Sequence, residues 1–88
     1  MTIASYILSG IANLAFDADN IRRGKLAGDR LSAMCDTGKV ETDADVCDAI
    51  NAADMVWQGY VARLSGECEY ACRCDRAVDR ILRRHYLA

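Results

Sequence analysis

Residues 67–86 read ECEYACRCDRAVDRILRRHY, and their spacing decides the fold. At 3.6 residues per turn, Ala71, Cys74, Val78, Ile81, Leu82 and His85 fall on one side of a helix. Arg73, Arg76, Arg80 and Arg84 fall on the other side, at i, i+3, i+7 and i+11. The stretch predicts an amphipathic helix over 67–86 with one apolar stripe and one arginine stripe. Gly66, just ahead of it, fits the left-handed stop of a preceding helix.

That preceding segment, 43–65, carries the same period through Val46, Ala49, Ile50, Ala53, Trp57, Tyr60 and Leu64. Thr42 is suited to cap its start, and Asp43 and Asp45 sit where the helix dipole favours negative charge. Gly38 closes the segment before it and leaves the short connection Lys39–Glu41. Short connections imply antiparallel neighbours.

Residues 3–36 are harder to divide. A single helix of that length would run about 50 Å at 1.5 Å per residue, against about 30–35 Å for its partners. The apolar face also rotates along the segment. Ile3, Ile7, Ile11, Leu14 and Ala15 define the first face. Ile21, Gly24, Gly28, Leu31 and Cys35 define the second. Asp17, Asp19 and Asn20 lie at the change and are capping types. The reading is two helices, about 3–16 and 19–36, with one long curved helix as the alternative. Gly24 and Gly28 each cost about 1 kcal/mol of helix propensity relative to alanine, which close approach of another helix would offset.

The expected architecture is an all-α bundle of three to four helices in a single domain, 1–88. Eighty-eight residues leave no room for a second core. Such a chain buries roughly 60–65% of its unfolded surface. With 52% apolar residues it carries enough to fold. Ile3–Phe16 lacks a basic leader, and at about 14 residues it is short of the roughly 20 needed to cross a bilayer. A soluble, cytoplasmic protein is expected.

The chemistry on offer is sparse. There is one histidine, and no phosphate loop, nucleophile elbow or H-E-x-x-H pattern, so no catalytic residue is assigned and no enzyme is expected. The five cysteines are odd in number and without a secretion signal, which favours reduced thiols over a disulfide framework. Cys35, Cys47 and His85 would fall near one end of an up-down-up bundle and could hold zinc with a fourth ligand. Their spacing matches no compact zinc motif, and buried cysteine is more often a small apolar filler. No metal or cofactor is therefore expected. Cys68 and Cys72 share a helix face, and Cys74 turns away toward the core.

Charge is more telling. From Asp36 to Asp54 there are six acids and one base, and from Arg73 to Arg84 five bases and two acids. An up-down-up bundle sets the acidic start of one helix beside the basic end of the next, which can be complementary packing alone. As a docking surface, Asp36, Glu41, Asp43, Asp45 and Asp48 form an acidic face for a basic groove. The arginine stripe would instead meet phosphate or an acidic protein. Reversal of Asp43, Asp45 and Asp48 to Lys is expected to abolish docking and leave the helices intact. The formal charge of −2 argues against nucleic acid as the direct ligand. The first helix carries only Ser5, Ser9 and Asn13 as polar residues. Its face of Ile3, Ile7, Leu8, Ile11 and Ala15 is expected to meet a second copy or a partner.

In its shortness, mild acidity and lack of any enzymatic motif, the chain resembles the small phage-encoded anti-CRISPR proteins. That resemblance implies a non-enzymatic inhibitor acting in the host bacterial cytoplasm. It would bind a CRISPR-Cas effector stoichiometrically and block nucleic-acid access or nuclease recruitment. Many such proteins use an acidic surface that imitates phosphate. The modest net charge here favours a mixed interface. A small nucleic-acid-binding or regulatory protein using the arginine stripe, and a zinc-stabilised structural protein, are the alternatives.

Overall fold

A computed structural model describes residues 2–88, in which four helices run in chain order: α1 Ile3–Ala12, α2 Ala18–Asp36, α3 Ala44–Leu64 and α4 Cys68–Arg84. No strand occurs among the described residues, and the fold is an all-α bundle. The third helix is the hub and packs against each of the other three.

Side chains set the helix starts. Thr2, Asp17 and Asp43 accept hydrogen bonds from the backbone N–H of Ser5, Asn20 and Val46, at 3.0, 2.9 and 2.8 Å. Asp43, not Thr42, therefore caps α3. Its carboxylate lies one residue closer to the open N–H groups. The break between the first two helices is real, and it comes earlier than residue 16. Asn13 closes on the Ser9 carbonyl with both its backbone N–H (3.2 Å) and its side-chain amide (2.9 Å). Asp17 then starts α2.

Three helix ends share one geometry. In each, the residue after the cap is left-handed and the next N–H returns to the carbonyl five residues back. Lys39 returns to Met34, Glu67 to Ala62 and Leu87 to Leu82, at 2.9, 2.8 and 2.9 Å. Gly38 (φ +74°) and Gly66 (φ +79°) take the left-handed position in the first two. Tyr86 (φ +60°) takes it in the third.

The core gathers Ala4, Ile7, Leu8 and Ile11 of α1, Leu31 of α2, Val46, Ala49, Ala52 and Ala53 of α3, and Ile81 and Leu82 of α4. Three of the five residues expected to meet a second copy are thus interior: Ile7, Leu8 and Ile11. Ending at Ala12, α1 is under three turns long, and its apolar stripe is covered by α3, with a smaller contact to α2. Of the others, Ile3 is 45% exposed and Ala15 is also exposed, at opposite ends of the segment.

Small residues set the spacing of α3. A Cβ placed on Gly28 would lie 2.7 Å from Ala53 Cβ, so α2 and α3 touch almost backbone to backbone there. A Cβ placed on Gly24 would meet nothing within 4 Å. On the α4 side, a Cβ on Gly59 would sit 3.2 Å from Cys74 Cβ.

Candidate docking surface

Antiparallel packing brings the end of α2, the start of α3 and the end of α4 to one pole of the bundle. The five acidic candidates are all here, but the fold uses them differently. Asp43 is spent on the α3 cap. Asp48, on α3, accepts a hydrogen bond from Arg84 Nη2 at 2.8 Å and lies 2.9 Å from His85 Nε2. The Arg84 guanidinium holds the Asp48 carboxyl below the usual carboxylate range; partial burial opposes this and His85 adds to it. The complementary packing expected between the acidic and basic segments is realised in this contact, which ties α4 to α3.

Asp36, Glu41 and Asp45 are exposed and make no ion pair or side-chain hydrogen bond among the described residues. Asp45 sits in the first turn of α3, where the helix dipole favours it. Asp36 is the last residue of α2, where the dipole opposes an acid, and no basic residue occupies that last turn. A shallow depression of about 180 Å³ opens beside these groups, between the starts of α1 and α3. Ile3 and Val40 line it together with Glu41, Asp43 and Asp45.

Sequence reasoning missed Tyr86. Its side chain is 95% exposed on a left-handed backbone that non-glycine residues rarely adopt. It follows directly on His85, so it stands at the same pole as the acids. A helix predicted to continue through residue 86 concealed it. The one available signal was the absence of a glycine where the last helix had to stop.

The arginine stripe is exposed along its whole length, yet much of it is engaged. Arg84 is held by Asp48, and Arg73 lies 3.6 Å from Glu69. Arg76 donates through Nε to the Cys72 carbonyl at 3.4 Å. Arg80 makes no ion pair among the described residues. Asp75 and Asp79 interleave with the stripe and pair with Arg63 and Arg83.

The residues weighed for zinc do not assemble. His85 is directed to Asp48, Cys35 is half-buried and Cys47 is exposed. No group of three His, Cys, Asp or Glu side chains suited to a metal ion occurs among the described residues. No helix among them is long and apolar enough to cross a membrane.

A second polar cluster lies on the open side of α3, away from the acidic pole. Lys25 bridges Asp29 (2.8 Å) and Asp54 (3.2 Å), and Gln58 links Asp54 to the Tyr70 hydroxyl. Asp29 first, then Asp54, raises the Lys25 ammonium above its ordinary range. This cluster straps α2, α3 and α4 together, with Lys25, Asp29 and Asp54 paired to one another. No family model matches the chain, and no curated protein or solved structure does either.

Proposed function

We propose that this protein works by stoichiometric binding to another protein, as an inhibitor of the anti-CRISPR kind, through the pole formed by the end of α2, the start of α3 and the end of α4. One observation carries the reading: this pole concentrates side chains for which the fold has no use. Asp36, Glu41 and Asp45 make no ion pair or side-chain hydrogen bond among the described residues. Tyr86 holds a nearly fully exposed ring on strained backbone. Strain of this kind costs on the order of 1–3 kcal/mol and gathers at functional positions. Tyrosine is among the residues that most often dominate binding energy at interfaces. Acids beside an exposed aromatic ring and the Ile3–Val40 depression make a mixed surface, polar at the rim and apolar at the anchor. Its complement is a basic surface with an apolar pocket, such as a nucleic-acid-binding groove of an effector complex. The arginine stripe, partly neutralised by its own neighbours, is the weaker candidate.

The test uses purified CRISPR effector complexes and measures target-DNA binding as the protein is added. One protein per effector is expected to abolish binding by a susceptible complex. The triple reversal of Asp43, Asp45 and Asp48 is the wrong probe, because it removes a helix cap and the tie between α3 and α4. Reversal of Asp36, Glu41 and Asp45 to Lys spares both. Several kcal/mol of like-charge repulsion should weaken docking on the order of 100-fold or more, with the helical circular dichroism unchanged. Full inhibition by this variant would remove the acidic pole from the mechanism. Inhibition at well below one protein per effector would indicate catalysis and end the binding proposal.

A further inference from the structure

Cys68 and Cys72 open α4 one helical turn apart, and both are exposed. Side chains four residues apart share a face, with Cβ atoms about 5–6 Å from each other. A disulfide needs about 3.5–4.5 Å between them. The helix therefore keeps the two thiols from bonding each other while presenting both to the same side. Cys74 is buried at Gly59 and takes no part.

No third His, Cys, Asp or Glu joins this pair in a metal-binding group among the described residues. Two thiolates alone do not suit zinc, which takes four ligands in structural sites. They suit a soft ion that accepts two ligands in line, and thiolate softness selects Cu(I). The charge balance agrees. A Cu(I) ion between two thiolates carries a net charge of −1. It would lie at the positive end of the α4 dipole, where Glu67 makes no side-chain cap bond. A broad depression adjoins Cys68, and Arg73 lines it with Glu67 and Glu69. Arg73 lies 3.6 Å from Glu69 and so offsets one of the two acids.

We propose that Cys68 and Cys72 form a two-coordinate Cu(I) site at the start of α4, separate from the docking pole. Binding breaks two S–H bonds and forms two Cu–S bonds. Both protons pass to solvent, and no electron is transferred.

The test is anaerobic titration of the whole reduced chain with Cu(I) held by the chromogenic chelator bicinchoninate. The protein is expected to withdraw one Cu(I) per chain and to elute from gel filtration where the copper-free chain does. Cys68→Ser and Cys72→Ser should each weaken binding more than about 100-fold, since loss of a ligand exceeds the effect of losing its outer support. Their circular dichroism should not change, because both side chains are exposed. Cys47→Ser, which alters an exposed cysteine outside the pair, should bind as wild type does. The proposal is overturned if the chelator keeps all the copper or if the double serine variant withdraws as much as wild type. Loss of binding in Cys47→Ser, or one copper per two chains, overturns it equally.

Discussion

The two long seams of α3 are closed by different means. Against α2, the critical contact depends on a missing side chain: at Gly28 there is no room for even one carbon beside Ala53. Against α4, the approach at Gly59 is looser. Charge pins that seam near both ends, with Arg63 on Asp75 at one and Arg84 and His85 on Asp48 at the other. The first seam is limited by volume at Gly28, with Lys25 reaching Asp54 across it as its ion pair, and should fail abruptly with added volume. The second is electrostatic and should weaken by degrees and answer to pH. The pole proposed for docking lies at the electrostatic seam, so the end we propose to face a partner is also the tunable end.

Gly28→Val breaks the steric seam and has the largest expected effect. Two methyl groups and a Cβ must be forced in where a Cβ alone would already lie 2.7 Å from Ala53 Cβ. Overpacking of this kind costs roughly 1–3 kcal/mol, and the upper end, about 3 kcal/mol, applies where the obstacle is a Cβ fixed directly to a helix backbone. For a chain of this size the thermal midpoint should fall by about 12–24 °C. Unfolding followed by circular dichroism measures it. An unchanged midpoint would mean that α2 slides aside without cost.

Asp48→Asn tests the electrostatic seam. Removing the charge that receives both Arg84 and His85 should cost about 1 kcal/mol, because Arg84 is more than half exposed and solvent screens the pair. The sign of the pH dependence follows from the lowered carboxyl pKa. Above the unfolded value of about 3.9, Asp48 is charged in both states and its full contribution is present. As pH falls through the lower folded value, the native carboxylate must be protonated and the contribution is lost. The gap between wild type and Asp48→Asn should therefore be widest near neutral pH and close below about pH 4. Chemical denaturation across that range measures it, and a constant gap would show that packing, not charge, holds the seam.

The difference between the seams also explains what could be read in advance. The apolar stripe of α4 was legible residue by residue, because a helix with one buried face leaves a clean 3.6 period: Ala71, Cys74, Ile81 and Leu82 are all interior. The stripe of α3 was legible only in part. A hub helix is covered from several sides, so Ala52, Gly59 and Ala62 are buried outside the expected face, while Leu64, beyond the reach of its neighbours, is 70% exposed. The break at Asp17 was marked by capping residues. The two glycines of α2 look alike in sequence, and only the path of α3 tells them apart. Of the docking pole, the acids were visible as a run of charge. Asp43 is engaged by the local cap, but the engagement of Asp48 depended on Arg84 and His85, more than thirty-five residues away. Tyr86 was hidden because the helical pattern reads on through residue 86, and the lack of a glycine at the stop was the one local cue.

Tyr86→Gly is expected to move stability the other way. Glycine occupies the same turn position after α2 and α3, and at positive φ it relieves the Cβ strain that tyrosine bears. The ring is almost wholly exposed, so little packing is lost with it. A gain of about 1 kcal/mol is expected, at the low end of the strain range. If the pole docks a partner, the same substitution should weaken binding while it strengthens the fold, the usual trade at a strained functional residue. A loss of stability would show that the ring makes a contact the exposed side chain does not reveal.

Gly24→Ala sharpens the comparison with the smallest effect. Gly24 lies one turn from Gly28 on the same helix, at the wall of the groove between α1 and α2, and an added Cβ would meet nothing within 4 Å. With no obstacle, only helix propensity and the unfolded chain's entropy respond, and both favour alanine. The expected gain is about 0.4–1 kcal/mol. A midpoint that rises in Gly24→Ala and falls in Gly28→Val would confine the steric contact to the single turn where α2 meets Ala53. A fall in both would extend it along the helix, which requires α1 to press on α2 more closely than the open groove allows.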